Sequence, residues 1–331
     1  MSKQEHKFPY NWTLKDAVFT KDKGKVFSCF ACGGGSTMGY KLAGFDVLGC
    51  NEIDPKMIEA YKTNHNPKYA YLEPIQTFKL RKDLPQELYE LDILDGSPPC
   101  SSFSMAGNRE KDWGKDKVFR EGQAMQVLDT LFFDFIDLAK ELQPKIVVAE
   151  NVEGLLLGNA RSYVIEIYKE FEKAGFYIQH FLLDASKMGV PQRRKRVFFI
   201  ALRKDLASKF MIQKDMFTMI PNIEMIFKEK EIPVKVFAEF QDKKEKQNYS
   251  EKRFGDVILD LNRAANTITS GVRFWLNEKQ ILKPICYNLI GSYPTDYEFV
   301  TDNVYMIGMS VPPVMTAHVA SNIYNQWLSK L

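Results

Sequence analysis

Histidine and cysteine are scarce in this chain, and neither is clustered. Four histidines (His6, His65, His180, His318) are dispersed, and the five cysteines (Cys29, Cys32, Cys50, Cys100, Cys286) form an odd, scattered set. That excludes a disulfide framework and gives none of the paired spacing of a zinc site. No metal is expected. Cys29-x-x-Cys32 lacks the flanking residues of a redox pair, and Cys29 falls inside an apolar run. No apolar run reaches the roughly 18–20 residues of a membrane span. The N-terminal Met1-Ser2-Lys3-Gln4-Glu5-His6-Lys7 is polar and lacks a secretory core. No internal repeat and no low-complexity tract occurs. The expected setting is therefore a reduced cytoplasm, away from membranes. A net charge of +3 says little about a polyanionic partner, so any such argument rests on local charge.

The 331 residues suit one large or two unequal domains, and the 45% hydrophobic content is ordinary for a globular chain. The first 200 or so alternate strand-like and helix-like segments. Strands are expected at Val26–Ala31, Val47–Asn51, Leu91–Leu94, Ile146–Ala149, Phe176–Leu183 and Val197–Leu202. Helices are expected at Thr37–Leu42, from Pro55 to about Tyr61 with Asp54 as cap, over Gln123–Glu141, and over Tyr163–Lys173. This alternation predicts an α/β fold whose doubly wound parallel sheet is covered on both faces. Ligands then gather beyond the carboxyl ends of the strands. After Arg203 the alternation stops, and mixed charges such as Asp242-Lys243-Lys244-Glu245-Lys246 appear. The expected division is a main domain over 1–203, a smaller lobe over 204–270, and a segment over 271–331 that returns to the main domain.

Four stretches carry chemistry. Gly96-Ser97-Pro98-Pro99-Cys100 follows the third strand, and its adjacent prolines stiffen the turn that presents a single thiol. Glu150-Asn151-Val152 ends the fourth strand, where a partly buried carboxyl makes a proton donor. A thiol and an acid at neighbouring strand ends point to covalent catalysis. Gln192-Arg193-Arg194-Lys195-Arg196 leads into the last strand, and alternate side chains of this run would face a cleft. Arginine there binds phosphate or carbonyl oxygens with two donors. Nearer the start, Phe30-Ala31-Cys32-Gly33-Gly34-Gly35 turns from the first strand into a helix, with Glu52 about 20 residues on, where an acid commonly holds ribose hydroxyls. Met38 stands where the third glycine of a dinucleotide fingerprint would be. A nucleoside cofactor without a pyrophosphate fits better, and S-adenosylmethionine is the candidate.

In set and order these residues resemble the cytosine-5 DNA methyltransferases, from about Lys25 to the C-terminus apart from the second lobe. Pro98-Pro99-Cys100 resembles the family's nucleophile motif, Glu150-Asn151-Val152 its Glu-Asn-Val motif, and Gln192–Arg196 its arginine element. Arg263–Ser270 is similar to the support of the target-recognition lobe, and Gly308-Met309-Ser310-Val311-Pro312-Pro313 to the closing motif. The resemblance implies a Rossmann-like methyltransferase sheet with a target-recognition lobe. It implies catalysis by Cys100, Glu150, Arg194 and Arg196. It places S-adenosylmethionine, which leaves as S-adenosylhomocysteine, against Phe30, Ala31, Gly33, Gly34, Gly35, Glu52, Ile53, Glu73, Pro99, Leu131 and Val311. Substrate contacts would come from Ser101, Ser104, Asn151, Gln192, Arg193 and Thr267. Double-stranded DNA is the implied partner of a monomer, with any cognate restriction endonuclease acting separately. The alternative is a transfer-RNA cytosine-5 methyltransferase, but the Cys-Phe-Thr tripeptide associated with that branch is absent. Three departures stand out: Ser28 in place of an acid before the turn, Cys32 in place of its first glycine, and Met309 in place of an asparagine.

Overall fold

The computed structural model describes residues 6–99, 116–117, 126–127, 130–158, 160–215, 218–240, 255–277 and 280–331. Seven strands form its central sheet: β1 (Lys25–Cys29), β2 (Asp46–Glu52), β3 (Tyr69–Leu72), β4 (Ile93–Gly96), β5 (Ile146–Val152), β6 (Phe176–Asp184) and β7 (Lys195–Arg203). Their order across the sheet is β3-β2-β1-β4-β5-β7-β6. The chain winds outward from β1 in one direction and from β4 in the other, so the switch point lies between them. β1 to β5 run parallel, but β7 is antiparallel to both β5 and β6. The all-parallel expectation is corrected there. No crossover helix separates β6 from β7 in the chain, and a parallel return needs one.

Alternating strand residues build a core on each face. Phe27, Leu94, Val147, Ala149, Phe199 and Ala201 share one apolar cluster with helices α3 (Leu131–Leu142) and α4 (Ala160–Lys173). Val26, Ile93, Ile146, Val148, Ile200 and Leu202 share the other with Tyr40 of α1 (Gly35–Leu42). Helix α2 (Pro55–His65) starts as its sequence directs: the Asp54 carboxylate accepts from the amides of Lys56 and Met57, and Pro55 occupies the first turn. The expected helix over Gln123–Glu141 is shorter. Helix α3 begins at Leu131, while Gln126–Val127 pairs as a strand with Asp116–Lys117. The apolar periodicity of Leu131, Phe132, Phe135 and Leu138 carries the helix that does form.

Residues 206–227 contribute Leu206, Ala207, Phe210, Ile223, Met225 and Phe227 to the second cluster. A third cluster gathers Ile232, Phe237, Leu259, Ile268, Phe274 and Leu282 with residues of α5 (Pro284–Ile290) and α6 (Asn303–Met309), and it rests on Met38, Met57 and Ala60. Helix α7 (Pro313–Gln326) then crosses α1. At the crossing, a Cβ on Gly39 would come 2.3 Å from the Pro313 carbonyl oxygen and 2.5 Å from Thr316 Cβ. Gly39→Ala therefore forces two backbones apart. We expect it to cost about 1–3 kcal/mol of stability, read as a lower urea midpoint, whereas an unchanged midpoint would show that the crossing has slack.

Candidate active site

The carboxyl ends of β1, β2, β4 and β5 meet along one sheet edge, in register. Cys29 pairs with both Asn51 and Gly96, and Gly96 pairs with Ala149. The first residues past these pairs are Phe30, Glu52 and Ile53, the Ser97-Pro98-Pro99 turn, and Glu150. Cys100, Ser101 and Ser104 lie outside the described residues.

Glu150 lies within β5, opposite Phe198 of β7, and Arg196 lies opposite Val152. Residues two apart on a strand share a face, so Glu150 and Arg196 are diagonal neighbours. Arg196 Nε donates to Glu150 Oε1 at 2.8 Å, and both side chains are largely buried. Burial holds the Arg196 guanidinium below its ordinary value, which Glu150 opposes. Asn151, on the other face, donates through Nδ2 to the Pro98 carbonyl oxygen at 3.1 Å. The proline turn is thereby tied to the strand that carries Glu150.

Burial alternates along the arginine run. Arg194 is buried and Lys195 is exposed, the latter 3.4 Å from Glu153. Arg194 was expected in the catalytic set. Here its guanidinium donates to the carbonyls of Ile268 (2.9 Å), Gly308 (2.8 Å) and Ser310 (2.9 Å). Burial, with Arg196 nearby, brings its pKa down to about 9. Its neighbours stitch the same segments together. Gln192 Oε1 accepts from the Ile268 amide at 3.0 Å, and Arg193 donates to Asn266 Oδ1 at 2.9 Å. Thr267 donates its hydroxyl to the Arg193 carbonyl at 2.7 Å.

The glycine turn is held just as closely. Phe30 and Cys32 adopt positive φ (50° and 48°), as does Gly34 (93°). Glu52 accepts from the Cys32 amide at 2.7 Å and from the amides of Ile53 and Asp54 at 2.8 and 2.9 Å. Burial nevertheless raises its pKa. Cβ atoms on Gly33, Gly34 and Gly35 would meet Met306, His65 and Tyr293 at 2.1, 2.1 and 2.4 Å. A Gly35 Cβ would also lie 2.4 Å from the Val311 carbonyl oxygen. The Tyr297 hydroxyl donates to the Gly33 carbonyl. Packing against the protein itself thus accounts for these glycines. Phe30, Ile53, Glu73 and Pro99 are half-buried, while Ala31 and Leu131 are buried. Glu73 is paired with Arg81 at 2.9 Å and accepts from Thr77 at 3.1 Å. Burial pushes the Cys32 thiol up to about 12, so it is unreactive near neutrality.

Sequence reasoning missed Asp95, Tyr297 and Met306. Asp95 is buried in β4 directly beside Ser28 of β1, whose hydroxyl donates to it at 2.7 Å. A carboxylate one residue before Gly96 was the available signal, but only strand pairing shows what it faces. Nothing in the sequence marks Tyr297 or Met306.

A family model described as C-5 cytosine-specific DNA methylase matches residues 24–284. The type II methyltransferase M.FnuDI of Fusobacterium nucleatum is 37% identical over 183 residues, which are 55% of this chain and 48% of that protein. The type II methyltransferase M.NgoPII of Neisseria gonorrhoeae is 36% identical over 190 residues, 57% of this chain and 51% of that protein. The chain thus matches about half the length of these curated relatives. Among solved structures, a candidate DNA modification methyltransferase encoded within an E. coli prophage superposes with a TM-score of 0.64 at 21% identity, covering 91% of this chain and 99% of that one. The S. pombe Dnmt2 methyltransferase gives 0.61 at 13% identity, covering 91% and 98%. At such identities the structures share the fold.

Removing the Arg194 guanidinium strands three buried carbonyls at once. Arg194→Met should lose about 3 kcal/mol or more, seen as a lower melting temperature and faster proteolysis after residue 262. Arg194→Lys should recover only part, because one ammonium cannot copy the planar fork.

Proposed function

The chain belongs to the C-5 cytosine-specific DNA methylase family, and from that premise we propose that it methylates carbon 5 of a cytosine within a specific sequence of double-stranded DNA. The observation that carries this reading is the buried Glu150–Arg196 pair at 2.8 Å, on the strand whose Asn151 ties down Pro98. Those contacts set an acid beside the turn that leads to Cys100.

The chemistry follows from what each group does. A cytosine inside a duplex is out of reach, so the base is flipped out of the stack. The Cys100 thiolate then adds to ring carbon 6. As the carbon–sulfur bond forms, Glu150 gives a proton to ring nitrogen 3, and carbon 5 gains the electron density of an enamine. Arg196 orients Glu150 through Oε1 and lends a cation to the base oxygen. S-adenosylmethionine, when bound, supplies the electrophilic methyl group that carbon 5 takes. A base then removes the carbon 5 proton, the Cys100 sulfur leaves carbon 6, and the nitrogen 3 proton returns to Glu150.

The residues at the switch point suit that cofactor. Phe30, Ile53 and Pro99 leave half-buried apolar surface at the ends of β1, β2 and β4, which suits a flat purine. Glu52, buried and fixed by three amides, stands where an acid binds ribose hydroxyls. Arg194 acts as a positioning residue, joining the catalytic strand to the segments that frame the site. The 204–270 lobe is assigned to reading flanking bases, with exposed Lys195 and half-buried Arg193 near the phosphates.

The test is tritiated methyl transfer to duplex DNA and to transfer RNA, followed by bisulfite sequencing of the DNA. Label in DNA is expected, and label in RNA alone would overturn the reading. Cys100→Ser should abolish both transfer and the covalent adduct with a 5-fluorocytosine duplex. Glu150→Gln should lower kcat by roughly 10²–10⁴-fold. An adduct that survives Cys100→Ser would displace the assigned nucleophile.

A further inference from the structure

Asp95 is 2% exposed and sits in β4, just before the turn that holds Pro98 and Pro99. All its identified hydrogen-bond partners are hydroxyls. Ser28 donates at 2.7 Å and Tyr40 at 3.1 Å, and Ser36 donates as well. No cation among the described residues pairs with it. The placement of the donors is the informative part. Ser28 lies in β1, two residues before Phe30, while Ser36 and Tyr40 lie on one face of α1, immediately after Gly33–Gly35. One carboxylate therefore holds the glycine turn from both sides, and it does so from the strand that leads into the proline turn.

We propose that Asp95 is a positioning residue that couples the cofactor turn to the Pro98–Pro99 turn, through a carboxylate supplied by β4. Ser28 and Asp95 are paired residues in register, so hydroxyl and carboxylate face each other across one strand pair and could trade places. The inference rests on the methyltransferase reading above.

Two considerations separate this from simple packing. An asparagine has one acceptor oxygen and two amide hydrogens, so it cannot serve these hydroxyls as a carboxylate does. Retaining the carboxylate also works against the fold. Burial raises its pKa from 3.8 to about 6, with Glu150 adding to the rise, while Cys29 of β1, Tyr40 of α1 and Tyr61 of α2 also face its charge. A folded pKa above the unfolded one means that stability is lost as pH climbs from about 4 to 6, and the full cost stands above 6.

The experiment compares Asp95→Asn, Asp95→Ser and the exchange Ser28→Asp/Asp95→Ser with the unmodified protein at pH 8. It reads melting temperature, S-adenosylmethionine affinity by calorimetry, and methyl-transfer kinetics. Asp95→Asn should melt no lower than the parent, bind cofactor at least fivefold more weakly, and lose at least tenfold in kcat at saturating cofactor. The exchange should recover most of what Asp95→Ser loses. Unchanged affinity and kcat would reduce Asp95 to packing, and a change in affinity alone would remove the coupling. An exchange no better than Asp95→Ser would also overturn the proposal. Should the Asp95 variants fail to fold, Tyr40→Phe and Ser28→Ala decide: each should weaken both parameters, and parental values in both would refute the coupling. A parent that binds cofactor yet methylates no DNA would refute the methyltransferase reading, while the affinity comparison would still judge Asp95.

Discussion

A buried guanidinium holds the two halves of this molecule together. Arg194 enters the core just ahead of β7 and binds carbonyls at 268, 308 and 310. The carbonyls at 268 and 310 lie on irregular backbone and the one at 308 in the last turn of α6, places where no ladder or helical donor follows and other donors must be found. Stripping water from an arginine is expensive, as its depressed pKa records. The expense is offset because one planar group meets several acceptors. Two residues on, the same strand presents Arg196 to Glu150. The clamp that fixes the later segments and the pair that faces the site therefore cannot move independently.

Much of the sheet-bearing half was legible in the sequence, for identifiable reasons. Buried strands such as Ile146–Val152 read as apolar runs, and Asp54-Pro55 is a helix start that depends on local contacts alone. The glycine turn and the acid that follows it are close in sequence, so their meeting could be foreseen. Other features depended on partners far along the chain. The direction of β7 follows from how the chain returns, which residue type does not encode. The helix expected from Gln123 is seen from Leu131, and Gln126–Val127 pairs as a strand, so at those two residues tertiary context overrode the local pattern; 123–125 and 128–129 lie outside the described residues. The glycine turn was legible as a turn, but not that Met306, His65 and Tyr293 pack where its Cβ atoms would stand. Arg194 read as a member of the catalytic set, and only the fold shows which carbonyls its guanidinium meets.

Polar groups line the sheet's carboxyl edge despite their burial. Glu52, Asp95 and Arg194 all have pKa values displaced mainly by loss of water. Each is held by hydrogen bonds rather than left unpaired, which fixes its orientation. A layer of this kind gives up some stability for geometry, a compromise concentrated where chemistry is done.

The glycine turn also has a consequence for how the protein is made. Its walls, Tyr297 and Met306, and the helix crossing behind it at Pro313 are translated some 260 or more positions after the turn. A nascent chain can form its early strands and still hold that loop loosely, because the surfaces that shape it have not left the ribosome. Until they do, the turn lacks the side chains that pack against it.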